Sequence, residues 1–419
     1  MMKQIVKTVA IVAPLLVFVG CGDGLDDPSE KVKGGELVID FPSQLIKPGL
    51  VKKGLIPESQ TVYGYKAYKI PYTTTDEEGE EVAASGMLII PTELPDVVSK
   101  TLGLSMVSDD HGTIFANREA PTLMNSTIGK PPASSALVLT TIGGFATLQP
   151  DYIGFGDSND HYHPFILKKS LANATVDFIK TVKTFASENS IKLNNQLFLT
   201  GYSEGGYAAM ATLKKIEDEN LTNLKVTMAA PMAGPYALKP LADTVLNQEK
   251  LGVPSFMANV GYAYAKAYNQ DIETVINEPY ASKLPTLFNG ELERSQIDPE
   301  LTHDTKGATG LFVDNFVTNY FTDENNWFKK AVIENNLYQW APKTPVRLVH
   351  CEGDNVIPYA ISQLTEGTMK AMGAADVQIV PVEKSLHLGV SLEHAACGLP
   401  AYGVTAKIFA TVRKQTIGY

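Results

Sequence analysis

Short runs of apolar and β-branched residues alternate along this chain with longer stretches whose apolar positions recur every three or four residues. The first pattern predicts strands, and the second predicts helices that bury one face. "TVYGYKAYKIPYTTT" and "AASGMLIIPTELP", joined by the acidic turn "DEEGEEV", read as an antiparallel pair. "TLGLSMVSDDHGT" and "GFATLQPDYIGFGDS" are two further strand-like runs, each ending in a polar, glycine-containing loop. From Ser170 to Asn189, the residues Leu171, Ala174, Phe178, Val182 and Phe185 keep helical spacing. A strand over "QLFLT" then leads into a helix over "EGGYAAMATLKKIEDEN". "NLKVTMAAPMAG", "PVRLVHCEGD" and "DVQIVPVEK" read as three more strands, and a last helix is expected in "CGLPAYGVTAKIFATVRK". Strands alternating with helices after an antiparallel start predict an α/β protein with a mainly parallel sheet.

The alternation breaks once. About a hundred residues separate "APMAGPYALKP" from "APKTPVRLVH", too many for a structureless loop. Aromatic-rich amphipathic segments such as "FMANVGYAYAKAYN" predict a helical cap inserted at 240–340, between core segments 37–239 and 341–419.

The N-terminus, "MMKQIVKTVAIVAPLLVFVGCGDG", sets two lysines before an apolar run from Val9 to Val19 that is interrupted by Pro14. Such a run is too short to span a bilayer, and its flanks predict a signal peptide over residues 1–20. Its ending, "FVGC", resembles the lipobox of bacterial lipoproteins, in which the cysteine is acylated. That resemblance implies a lipid anchor at Cys21, a polar tether over 21–36, and export to the bacterial cell envelope. Cleavage would remove two lysines and no acid, taking the formal charge from −11 to −13. A surface this acidic repels phosphate backbones and no basic stripe reverses it, which argues against nucleic acid as a partner. With Cys21 acylated, Cys351 and Cys397 remain as one pair, and an oxidising compartment favours a disulfide between them.

Candidate chemistry begins at Gly201-Tyr202-Ser203-Glu204-Gly205, a G-x-S-x-G pentapeptide with a strand before it and a helix after it. That context suits a nucleophile on a strained turn, with Gly201 and Gly205 needed because side chains there would clash with neighbouring backbone. The N–H of Glu204 is a first oxyanion donor, and its carboxylate reads as a helix-start acid. A second donor is expected from "SDDHGT", at Gly112 or Thr113.

A serine nucleophile needs a base, and the base needs an orienting acid. In this architecture the acid and then the histidine follow the serine in sequence. Asp354, just past a strand, is the expected acid, with Glu352 as a substitute lying closer to the strand. Of seven histidines, His387 and His394 follow the last strand; His350 reads as a half-buried structural histidine. A Cys351–Cys397 bridge lies three residues from Asp354 and three from His394, which favours His394 over His387.

The motifs "HGT", "QPDYIGFGDS…HPF", "GYSEGG", "GDNVIP" and "HAACGLPA" resemble, in order and over about residues 60 to 415, the secretory lipase group of the α/β-hydrolases. The resemblance implies a capped α/β-hydrolase that cleaves small-molecule carboxylic esters. It places the triad on Ser203, Asp354 and His394, the oxyanion loop on His111–Thr113, and structural roles on Asp151 and Gly154. No metal or organic cofactor is implied. The same triad and fold cleave amides, so a peptidase of short peptides is an alternative reading, and a non-catalytic ligand-binding lipoprotein is another.

Overall fold

In the strand Leu193–Tyr202, Leu197 and Leu199 face one hydrophobic cluster while Phe198 faces another, the two-residue alternation of a sheet covered on both sides. A computed structural model describes residues 33–52, 56–125 and 134–419; the expected signal peptide, Cys21 and most of the tether lie outside the described residues.

Nine strands pair into one sheet: β1 Glu36–Phe41, β2 Gly64–Thr75, β3 Glu81–Thr92, β4 Leu104–Asp110, β5 Ala146–Pro150, β6 Leu193–Tyr202, β7 Val226–Met232, β8 Val346–His350 and β9 Val377–Pro381. Their spatial order is β1-β2-β3-β5-β4-β6-β7-β8-β9. The first three strands and the β3–β5 pair are antiparallel, and every pair from β5 onward is parallel. The α/β-hydrolase class expected from the sequence is the fold observed. β1 and the helix α1, Ser43–Lys52, were not expected; Ile39, Ile46 and Leu50 pack with Tyr65 and Met87 in a small satellite core.

Two helices cover one face of the sheet, α2 Lys168–Glu188 and α3 Glu204–Asp218, through residues such as Phe178, Val182, Tyr207 and Met210. Between β7 and β8 the chain forms α4 Leu238–Asn247, α5 Pro254–Ala267, α6 Asp314–Thr322 and α7 Trp327–Glu334, with short turns between them. These helices share the main hydrophobic cluster with the sheet: Phe328 meets Tyr264 at a tilt and Phe316 edge to face, and Tyr207 Oη donates to Asn335 O at 2.7 Å. After β8 come α8 Tyr359–Ala371 and finally α9 His394–Ile417. α9 packs Cys397, Ala401 and Phe409 on the opposite face of the sheet, against Phe198 and Val349.

α9 starts three residues earlier than the sequence suggested, so His394 is its first residue and not part of the preceding loop. Pro400 lies inside this helix, within its first turns.

The sheet places its chemistry on one edge. β4, β6 and β8 all end there, and the chain turns away from each end into loops carrying polar residues. In open α/β sheets the carboxyl ends of the strands are where sites form.

Glycine is obligatory at the end of β6. A Cβ on Gly205 would lie 1.8 Å from the carbonyl oxygen of Asp110, and one on Gly201 would lie 2.4 Å from that same oxygen. Gly403, inside α9, meets nothing within 4 Å. Gly205→Ala should therefore lower the unfolding free energy by about 3 kcal/mol or prevent folding. Gly403→Ala should raise it by about 0.5–1 kcal/mol through helix propensity. Urea denaturation of both variants checks the pair.

Candidate active site

Ser203 stands between β6 and α3 with φ 61° and ψ −119°, a region that non-glycine residues rarely occupy. The surroundings hold it there: its N–H donates to Met232 O at 2.9 Å, and its carbonyl accepts from Tyr207 N at 3.1 Å. Strain of this kind persists only where neighbouring structure over-determines it, and it clusters at functional sites. Glu204, the next residue, opens α3, so its N–H lies in the first turn, where no intrahelical acceptor exists and the helix dipole is positive.

The loop His111-Gly112-Thr113 follows β4, whose Asp110 lies opposite Gly201 of β6. A Cβ on Gly112 would come within 2.9 Å of Tyr202 O and 3.8 Å of the Ser203 Cβ, so this loop lies directly against the serine turn. His111 clamps it: its Nδ1 lies 2.8 Å from Gly112 O, its Nε2 3.1 Å from Asp151 O, and its ring 4.2 Å from that of Tyr152.

Asp151 and Gly154 are held by packing and hydrogen bonds. The Asp151 carboxylate is buried and accepts from Ser85 Oγ at 2.5 Å and from Thr122 N at 2.9 Å. Burial raises its pKa against those hydrogen bonds. Gly154 has φ 94°, and a Cβ there would lie 2.6 Å from the His163 backbone.

The Glu204 carboxylate does start the helix, and it is also buried: the residue is 1% exposed, and its Oε1 lies 2.7 Å from His163 Nε2. The other ring nitrogen of His163 lies 2.8 Å from Ile153 O. The serine turn is thus tied through a buried pair to the "HPF" segment. In the sequence that histidine stands within a motif that carries no sign of its partner.

Asp354 follows β8 and has a fully buried side chain. Its Oδ1 accepts from the N–H groups of Val356 and Ile357 at 2.9 and 2.8 Å. Its Oδ2 accepts from His394 Nδ1 at 2.6 Å, and His350 Nε2 lies 3.2 Å from the same atom. Burial by itself pushes a carboxyl pKa up, but the hydrogen bonds from His350 and then His394 outweigh it and hold Asp354 well below the usual carboxylate range. Asp354 is therefore an anion at any pH where His394 could act.

His394 is brought to Asp354 and to the serine turn together. Its backbone N–H donates to Asn355 Oδ1 at 3.2 Å, and its carbonyl accepts from Tyr202 Oη at 2.7 Å. The Tyr202 and His394 rings are 4.9 Å apart, with Tyr202 immediately preceding Ser203. His387 is exposed on a turn at φ 53°, and Glu352 is exposed and paired with Lys384 at 2.7 Å; His394 and Asp354 make the contact instead.

Three further ties hold α9 to the strand ends and loops around it. Cys351 and Cys397 are joined by a disulfide with a Cα–Cα separation of 6.1 Å, linking the end of β8 to the first turn of α9. The loop it closes has a sequence separation of 46, for which chain entropy favours the folded state by about 4 kcal/mol. The buried Glu383 accepts from Glu352 N at 3.0 Å and from Leu392 N at 3.1 Å, joining the loops before Asp354 and before His394. Tyr402 of α9 donates to the buried Asp109 of β4 at 2.7 Å. The disulfide is legible in the sequence, whereas the contacts of Glu383, Tyr202 and His350 are not; only His350, four residues before the acid at a strand end, carries a local signal.

The model of the secretory lipase family matches residues 134–400. A search of curated proteins gives no match. Among solved structures, a Legionella pneumophila protein named as a hydrolase superposes with a TM-score of 0.79 at 23% identity, covering 92% of this chain and 99% of that one. The rice cell wall degrading esterase LipA of Xanthomonas oryzae superposes with a TM-score of 0.73 at 23% identity, covering 91% and 96%. Candida antarctica lipase A in its closed state gives a TM-score of 0.58 at 17% identity, covering 87% and 78%. At these identities the structures speak for the fold, and the family match speaks for descent. With nearly two thirds of its length matched by the family model, the chain belongs to the secretory lipase family, carboxylic ester hydrolases built on the α/β-hydrolase fold.

Proposed function

We propose that the protein is an exported, lipid-anchored serine esterase that works through an acyl-enzyme on Ser203. The observation that carries this reading is the Asp354–His394 hydrogen bond of 2.6 Å, made beside the turn that holds Ser203 at φ 61°. His394 Nε2 takes the Ser203 proton as the oxygen attacks the ester carbonyl. Asp354 fixes the tautomer through Nδ1 and stabilises the imidazolium. The N–H of Glu204, with Gly112 or Thr113, receives the developing oxyanion. The imidazolium then protonates the leaving alcohol, and water attacks the acyl-Ser203 with His394 again as base.

The helical segment 240–340 acts as the cap, closing over the serine turn and carrying the substrate contacts. It meets the stretch just past the oxyanion loop through aromatic rings: Phe115, two residues past Thr113, stacks with Phe256 at 6.1 Å and Phe288 at 5.8 Å. An apolar wall at that place suits the acyl portion of an ester.

Graded p-nitrophenyl esters compared with aminoacyl p-nitroanilides test the substrate class. Esters should be turned over, with kcat/KM depending on acyl length, and anilides should be poor. A preference for anilides would make the protein a peptidase, and no turnover of either would favour a binding protein. His394→Ala should lower kcat by about four orders of magnitude, whereas His387→Ala should stay within about threefold of wild type. The reverse order would move the base to His387. The anchor has its own test: the full chain should partition into detergent, and Cys21→Ser should move it to the aqueous phase. Unchanged partitioning would remove Cys21 as the anchor.

A further inference from the structure

We infer that His350, outside the expected triad, is a positioning residue that sets how tightly Asp354 holds His394; this rests on the serine-esterase reading above. His350 is the last residue of β8 and is fully buried. Its Nε2 lies 3.2 Å from Asp354 Oδ2 and 3.1 Å from Ile357 O. A carboxylate and a carbonyl only accept, so Nε2 carries the proton and donates to both. Its Nδ1 lies 2.8 Å from Ser362 Oγ of α8, whose hydroxyl donates to it and fixes that tautomer. The Tyr359 ring meets the imidazole edge-on at 5.5 Å and holds its plane.

The oxygen His350 engages is the one that receives the proton-bearing Nδ1 of His394. Two N–H groups share Oδ2, while Oδ1 is occupied by two backbone amides. Each donor on a shared oxygen withdraws charge from the other. His350 therefore fixes the carboxylate in place and tempers it as an acceptor for His394. The ionisable groups around the pair are Tyr202 from β6, Tyr359 from α8, and Glu383 and Glu352 from the adjoining loops. Glu383 is taken up by backbone N–H groups and Glu352 by Lys384, which leaves His350 as the side chain that modulates Asp354 directly.

Without the Nε2 proton donor, Asp354 holds the imidazolium of His394 more strongly, and the base form is reached at higher pH. His350→Leu should move the acid limb of the kcat/KM profile to higher pH by about half a unit. His350→Gln, which keeps a donor near the Nε2 position, should restore the wild-type profile. Ser362→Ala, which removes the hydroxyl that polarises the imidazole through Nδ1 and almost no volume, should weaken the Nε2–H donation and shift the limb in the same direction by less. All three are measured in the full chain on p-nitrophenyl acetate from about pH 5 to about pH 9, with thermal denaturation as the check on folding. If His350→Leu does not fold, Ser362→Ala carries the test.

A readout independent of turnover is the downfield proton resonance of His394 Nδ1–H, which should move further downfield in His350→Leu and in Ser362→Ala. A slower enzyme with an unmoved acid limb and an unmoved resonance would reduce His350 to a packing residue and overturn the inference. If the wild-type chain hydrolyses no ester, the esterase reading fails, and the resonance alone still decides the role of His350.

Discussion

Burying a carboxylate without hydrogen-bond donors is costly, and Asp354 offsets that cost with two backbone amides and two imidazoles. Much of the local architecture follows from it. The amides require the tight turn after β8. One imidazole requires His350 at the strand end. The other requires that α9 begin at His394, and the Cys351–Cys397 bridge and Glu383 hold that helix start in place. Opposed contributions of burial and hydrogen bonding set the charge, and the hydrogen bonds win.

The serine turn depends on a different constraint, the absence of atoms. Gly201 and Gly205 let the backbone of β4 and the start of α3 approach more closely than any Cβ allows, and Gly112 does the same from the oxyanion loop. That closeness is what permits a positive φ at Ser203, because neighbouring chains leave it no alternative path. The Glu204–His163 pair then anchors the start of α3 from beneath. Constraint by packing and constraint by hydrogen bonding thus meet at Tyr202, whose backbone leads into the turn and whose hydroxyl binds the His394 carbonyl.

What could be read from the sequence was what repeats or lies close along the chain. The strand order of apolar runs, the helix over 170–189 and the pentapeptide around Ser203 all obey local periodicity, and Asp354 stood out because a strand immediately precedes it. The disulfide was legible through counting, since an expected lipid anchor at Cys21 would leave one pair. Tertiary partners were not. The carboxylates of Glu204 and Glu383 are surface-like residues by type, and only the fold buries them against His163 and the loop amides. β1 and α1 escaped notice because Pro48 and a short polar-flanked strand give weak periodic signals. His350 reads from sequence as a half-buried structural histidine, although its spacing from Asp354 places both at one strand end.

If Ser203 is a nucleophile served by His394 and Asp354, a fluorophosphonate incubated with the folded protein will modify it, as peptide mass spectrometry can read. One phosphonyl group per chain on the peptide containing Ser203, lost in Asp354→Ala or His394→Ala, is the expected result. An unlabelled Ser203 in protein shown to be folded, or labelling that survives loss of both partners, would contradict it.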